Sequence, residues 1–420
     1  MTAVMFAAPS IAAPAPSSTS QPDGVVAGTV TAAEPRWNER GDRIYTHAII
    51  QLKDGSTVTV RQPGGTVGDI GMVQFPGTPL LRAGDQVEAR VAAVAATWSV
   101  VEITALSRQR EIGAPESVTP SGGKALSRPP IPLEYVRTTT DEGTPLYWQS
   151  GCVYLTLDKA GTSHVTGDLE FTVMKQVLAH WRESVASCSY MEFVHEEREG
   201  MEVGFDGVNV VKFRDESWCR PGADGEGEEC HPADAAGITT LTFINNPDSD
   251  RYGEILDGDI ELNGATRFSI SVEGRTDGPP ERCLADLANT FTHEVGHLLG
   301  LDHTCSFSGE PAREDSEGNP VPQCSGSLPS EILDATMHPS QSCGETKKAT
   351  LEADDRDAVC AVYQVDTDPN QCKRVSLTTK KSWCTIAPDG GSRGSLLATF
   401  VLLLGALALI WRLRLTARAR

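Results

Sequence analysis

The stretch Thr292–Thr304 reads T-H-E-V-G-H-L-L-G-L-D-H-T and contains the pattern H-E-x-x-H-x-x-G-x-x-H. Each fixed position has its own physical task. His293 and His297 are four residues apart, so on a helix they project from one face and reach one metal ion. Glu294 lies beside the first ligand, where its carboxylate can contact a metal-bound water without entering the coordination sphere. Gly300 permits the positive φ that ends a helix, which lets the chain turn back and present His303 as a third ligand. Three neutral imidazoles leave a fourth position for water, the layout of a catalytic zinc rather than a structural one. H-E-x-x-H alone turns up by accident on ordinary helices. The extended pattern has a chance frequency on the order of 10⁻⁵ in a chain of this composition.

Those residues resemble the metzincin clan of zinc endopeptidases. The clan also carries a tight methionine turn beneath the metal, and Ala335-Thr336-Met337-His338-Pro339 matches it, with Met337 as the corresponding residue. Thr304, directly after the third histidine, most resembles the matrixin-like group. Gly258–Asn263 resembles the matrixin strand ahead of the catalytic helix. The resemblance covers roughly residues 144–365. It implies an α+β catalytic domain, a twisted mixed sheet with a long active-site helix and the methionine turn. It also implies a zinc endopeptidase with Glu294 as general base and His293, His297 and His303 as zinc ligands. The chain departs from animal matrixins in its many cysteines and in the long stretch between His303 and Met337. Animal matrixins are often silenced by a propeptide cysteine. No cysteine precedes Cys152 here, so an inhibitory N-terminal region would have to cover the cleft or supply an oxygen or histidine ligand.

Bulk properties narrow the setting. A net charge of −21 in 420 residues argues against a nucleic-acid partner, because nothing would neutralise the phosphates. All 11 cysteines fall between Cys152 and Cys384, a density that suggests disulfides in an extracellular or cell-surface protein. Cys219/Cys230 and Cys305/Cys324 flank loops suited to local bridges, and the odd total leaves one cysteine over. No C-x-x-C pair supports a second zinc site.

The chain divides by composition. Residues 1–23 read as a leader remnant and linker without a basic n-region. Residues 24–110 read as a small all-β domain, with Val25–Thr31, Ile44–Leu52, Thr57–Gln62 and Val87–Ile103 as strand-rich runs and Asp54-Gly55 at a hairpin tip. Residues 111–143 form a Pro/Gly-rich linker. The metallopeptidase domain spans 144–366, followed by a linker at 367–392 and a tail at 393–420. In that tail, apolar Leu396–Trp411 precedes Arg412, Arg414, Arg418 and Arg420, which predicts a membrane-spanning helix with the enzyme outside. Gly390-Gly391-Ser392 ahead of it resembles the removable sorting tails of bacterial surface proteins.

Within the catalytic region the periodicity predicts helices over Leu169–Val185, Glu281–Leu299 and Leu351–Tyr363, the last with Thr350 as N-cap. His180 is expected at the surface. Asp248, Asp250, Asp257, Asp259 and Glu261 crowd one stretch. A solvated acidic loop is the default reading, with Asp257 and Asp259 as candidate calcium ligands. An extended peptide substrate is expected to pair with an edge strand near Thr239–Ile244. The rival to a zinc (Zn2+) endopeptidase acting on protein or peptide substrates is a surface adhesion protein with a degenerate metal site. Such a protein would be expected to lose the general base first, and Glu294 is present.

Overall fold

A computed structural model describes residues 24–94, 97–107, 134–222, 228–265, 267–375 and 377. The leader at 1–23, most of the 111–143 linker, the tail at 393–420 and Cys384 lie outside the described residues. No helix among the described residues is long and apolar enough to cross a membrane.

The N-terminal region supplies β1 (Gly24–Trp37), β2 (Ile44–Leu52), β3 (Thr57–Pro63), β4 (Gly65–Val67), β5 (Ile70–Phe75), β6 (Gln86–Val94) and β7 (Thr97–Ser107). Five of these close into a barrel in the order β1-β2-β3-β7-β6. Its interior is filled by side chains such as Val30, Ala48, Ile50, Val60, Ala89 and Val91. Gly55 at the β2–β3 tip has φ +85°, as the Asp-Gly signal requires. The run Val87–Ile103 covers two antiparallel strands, β6 and β7. The strands β4 and β5 leave the barrel altogether.

The candidate catalytic region contributes β8 (Cys152–Asp158), α1 (Leu169–Val185), β9 (Glu192–Arg198), β10 (Asn209–Arg214), the short pair β11 (Cys219–Arg220) and β12 (Glu229–Cys230), then β13 (Gly237–Ile244) and β14 (Ile255–Asn263). They are followed by β15 (Phe268–Ser271), β16 (Cys283–Asp286), α2 (Leu287–Leu298), α3 (Ser330–Leu333) and α4 (Ala353–Val362). A seven-stranded mixed sheet runs β4-β5-β13-β14-β10-β8-β9. Its β14, β10, β8 and β9 are mutually parallel, whereas β13 is antiparallel to β14 and β5 antiparallel to β13. The all-β segment is therefore no self-contained domain at 24–110, since two of its strands extend the seven-stranded sheet.

The main core joins Leu155, Leu157, Leu241, Ile260 and Leu262 of the sheet to Met174 and Trp181 of α1 and Phe291, Val295 and Leu298 of α2. Trp181 Nε1 donates to Thr292 O at 3.3 Å and Trp148 Nε1 to Leu298 O at 2.7 Å, so two indoles fix α2 in depth. Burial of this apolar area supplies the main driving force for placing α2 against the sheet.

Several boundaries move. The helix expected to start at Glu281 starts at Leu287, because Cys283–Asp286 pairs in parallel with β15 and Cys283 is bridged to Cys343. Asp286 then caps the helix by accepting from Asn289 N at 3.0 Å. In α4 the cap is Glu352, paired with Asp355 in a capping box, not Thr350. The catalytic region extends beyond 144–366 at both ends. Arg137 bridges to Leu301, and Cys372 is disulfide-bonded to Cys152. The bridges Cys219–Cys230 and Cys305–Cys324 form as expected, alongside Cys188–Cys360.

Of the acidic stretch, Asp248 and Asp250 are exposed in a turn as expected, but the remainder is not a solvated loop. Asp257, Asp259 and Glu261 lie on β14 and are buried. Asp257 Oδ2 accepts from Gly207 N (2.7 Å) and Asp206 N (3.3 Å). Asp259 accepts from Gly204 N (2.7 Å) and Val210 N (2.8 Å). Burial raises both carboxyls, Asp257 well above its ordinary range and Asp259 to about 8. Backbone N–H groups thus satisfy both candidate calcium-binding carboxylates.

Candidate metal centre and catalytic cleft

Helix α2 ends as its sequence requires. Gly300 has φ +86°, its N–H donates to His297 O at 2.9 Å, and Leu301 N donates to Gly296 O at 3.0 Å. This is a Schellman motif with glycine in the left-handed position. A Cβ at Gly300 would lie 2.8 Å from Leu146 O and 2.9 Å from an Arg137 nitrogen, so glycine is needed for space as well as conformation. The reversal brings His303 back over α2.

His297 Nε2 lies 3.2 Å from His293 Nε2 and 3.0 Å from His303 Nε2. Ligands at 2.0–2.1 Å around a tetrahedral zinc are separated by about 3.3 Å, so the spacing fits that ion. The outer nitrogens fix the tautomers. His293 Nδ1 is 2.6 Å from Thr336 O and His297 Nδ1 is 2.9 Å from Leu301 O. Each Nδ1 is thereby the protonated donor, which turns the Nε2 lone pair inward. Burial, first among the causes, lowers all three histidines, His297 to about 4 and the others well below their ordinary value. They are neutral imidazoles, the form that binds metal. Among the described residues this is the one cluster of three or more His, Cys, Asp or Glu placed to hold a metal ion.

Glu294 projects from the same helix toward β13. Thr239 Oγ1 donates to Glu294 Oε2 at 2.6 Å. Gly237 leaves the other side open, since a Cβ there would lie 2.6 Å from Glu294 Oε1. Burial pushes the carboxyl up to about 8. Below the histidines, Thr304 N donates to Met337 O at 3.2 Å, so the residue after the third ligand is tied to the methionine turn. Thr336 of the same turn holds His293. The A-T-M-x-P segment thus supports the cluster through its backbone carbonyls as well as through the methionine side chain.

The sequence reading brings together His293, Glu294, His297, His303 and Met337. Asp257 and Asp259 lie elsewhere in the sheet, and His180 is exposed on α1. Four neighbours were not foreseen. Thr239 and Gly237 sit on the strand expected to take substrate, but nothing local marks them as partners of Glu294. Lys348 is 2% exposed, its backbone N–H donates to Asn289 Oδ1 of α2 at 2.8 Å and its Nζ donates to Ser340 O at 2.7 Å. Phe75 comes from the N-terminal region, and its ring stacks on His297 at 4.3 Å between centroids with 9° between planes. No sequence signal placed a residue of that region at the histidine cluster.

No family model matches this chain, and no curated protein matches it either.

Proposed function

We propose that the protein is a zinc-dependent endopeptidase of matrixin-like metzincin form, acting on extracellular proteins or peptides. The observation that carries this reading is the convergence of three neutral Nε2 atoms with an oriented carboxylate on the same helix. Histidine ligands in this number suit zinc and leave a coordination position free. Bound there, zinc would supply Lewis acidity toward the scissile carbonyl and toward water. Glu294 takes the proton from the attacking water and returns it to the leaving amine, with Thr239 aiming the carboxylate. The raised affinity of Glu294 for a proton suits a group that must bind and release one in each cycle. The five disulfides support an oxidising, extracellular setting. The membrane anchor or sorting tail at 393–420 and the peptide-binding role of β13 belong to the same proposal. An adhesion protein with a decayed site has no evident need for a carboxylate held at 2.6 Å by Thr239.

Two substitutions separate the roles. Glu294→Ala is expected to keep full zinc while losing about 10²–10⁴-fold in peptide hydrolysis. His297→Ala is expected to lose zinc together with activity. Equal hydrolysis by Glu294→Ala and the parent would defeat the mechanism, and a parent that takes up no zinc would defeat the whole reading.

A further inference from the structure

A strand meant to receive a peptide should show a free edge, and β13 does not. One edge pairs with β14. The other is filled along most of its length by β5, in the register Thr239↔Phe75, Leu241↔Val73, Phe243↔Gly71 and Ile244↔Ile70. The pairing is antiparallel, so β5 lies where an added peptide strand would lie. Gly71, Val73 and Phe75 alternate onto one face of β5. Gly71 lies against the Phe243 ring, Val73 packs on the main core, and Phe75 belongs to that core and covers His297. The edge of Phe75 also faces His303, with centroids 6.4 Å apart. His293, Glu294, His297 and His303 are 9%, 3%, 0% and 4% exposed, with Phe75 against the last two. A polypeptide strand cannot pair with the β13 edge while β5 holds it.

The hairpin is anchored at both ends. At its tip, Asn245 N donates to Asp69 O at 2.8 Å, and Asn245 Nδ2 donates to Thr66 Oγ1 at 2.7 Å and Asp141 Oδ2 at 2.8 Å. At its base the barrel is docked on the catalytic region. Arg43 donates to Val203 O at 3.1 Å, and Tyr45 hydrogen-bonds Glu229, all four residues being buried.

We propose that β5 is a tethered peptide ligand of the catalytic cleft, which keeps the full-length protein latent by occupying the β13 edge and covering the metal ligands with Phe75. This rests on the zinc-hydrolase reading above and adds its regulation. It also states the class of peptide the seat accepts: an extended strand with a small, an aliphatic and an aromatic residue at alternate positions, the aromatic nearest the metal. Because the competitor is part of the same chain, it acts at an effective concentration of about millimolar, well above most dilute substrates. The hairpin does in strand form what a cysteine ligand cannot do in a chain whose first cysteine is Cys152.

The test uses zinc-loaded full-length protein and two substitutions in β5. Phe75→Ala uncovers His297. Gly71→Leu places a Cβ 2.6 Å from the Phe243 ring and 3.0 Å from Asn245 Cβ, which forces the strand off β13. Three readouts are followed: removal of zinc by a small chelator, backbone hydrogen exchange over Gly237–Ile244, and cleavage of an exogenous peptide. Both variants are expected to release zinc and to cleave peptide about tenfold faster or more than the parent. A synthetic peptide of residues Gly68–Pro79, added in trans, should slow both again. In the parent, the β13 amides should exchange as slowly as those of an interior strand. Rapid exchange there, or zinc release and cleavage equal in parent and variants, overturns the latency while leaving the zinc reading in place. Parent and variants that bind no zinc defeat the hydrolase reading and this inference together.

Discussion

Gly296 of α2 faces Met337 so closely that a Cβ at Gly296 would collide with the methionine sulfur. The variable position inside H-E-V-G-H is therefore fixed by a residue 41 positions away, beyond a long disulfide-bridged loop. Met337 is 2% exposed and belongs to the same core as Phe291, Val295 and Leu298. Glycine in a helix interior costs about 1 kcal/mol relative to alanine. The cost is accepted here because it lets the methionine turn approach the helix that carries two ligands.

Gly296→Ala is accordingly expected to destabilise the protein despite its better helix propensity. Overpacking of this kind costs about 1–3 kcal/mol. Because Thr336 O holds His293 Nδ1, displacement of the turn should also weaken zinc binding. Urea unfolding and a zinc titration check both effects, and unchanged values in both would show that the turn yields freely.

Gly237→Ala tests how narrowly Glu294 is positioned. The added Cβ meets Oε1 at 2.6 Å and Cγ at 2.9 Å, so the carboxylate must move. A displacement near 1 Å costs about 10²-fold in rate. We expect kcat to fall by about that factor with zinc content unchanged. Thr239→Val should act in the same direction, by removing the hydroxyl that donates to Oε2. Loss of zinc in either variant would count against a pure positioning effect.

Asp257 and Asp259 give stability a pH dependence of known sign. Burial raises both carboxyls above the unfolded value near 3.8, helped by the charge of Asp259 at Asp257 and by that of Glu261 at Asp259. Between that value and the folded one, which for Asp259 is about 8, the native state holds more protons than the unfolded state. The contribution is fully present below the unfolded pKa and is lost as pH rises toward 8, by at most about 1.4 kcal/mol per pH unit for each proton. Asp257→Asn keeps an acceptor for Gly207 N and Asp206 N but cannot ionise. Its unfolding free energy, measured from pH 5 to 8, should fall less steeply than that of the parent. Parallel slopes would place the protons elsewhere.

The bridges Cys152–Cys372 and Cys188–Cys360 span 220 and 172 residues and hold the end of the catalytic region to its beginning. Removing a bridge of this kind typically costs about 2–5 kcal/mol. Cys152→Ala/Cys372→Ala is expected to lower the unfolding midpoint by a corresponding amount. Non-reducing peptide mapping of the parent should recover the five pairings seen in the structure.

The candidate metal centre was legible because everything it needs is local. Three histidines, a carboxylate and a helix-ending glycine lie between His293 and His303, and helical spacing with one positive φ is enough to bring them together. Helix α1 was equally plain, since its apolar face repeats with helical period along its whole length. What the sequence could not show depends on contacts made across the chain. Glu281–Asp286 has the composition of a helix start, but pairing with β15 and the Cys283–Cys343 bridge make it a strand. Asp257 and Asp259 read as solvated carboxylates, and only the folded loop at Gly204–Val210 supplies the N–H groups that let them be buried. Ile70–Phe75, with a glycine in a short run, carries little local strand signal and no mark of its destination. Its seat against Thr239–Ile244 was decided by an open sheet edge and a hydrophobic slot for Phe75 beside His297. Those exist only once the tertiary structure has formed, because strand pairing joins residues whose separation along the chain leaves no local trace.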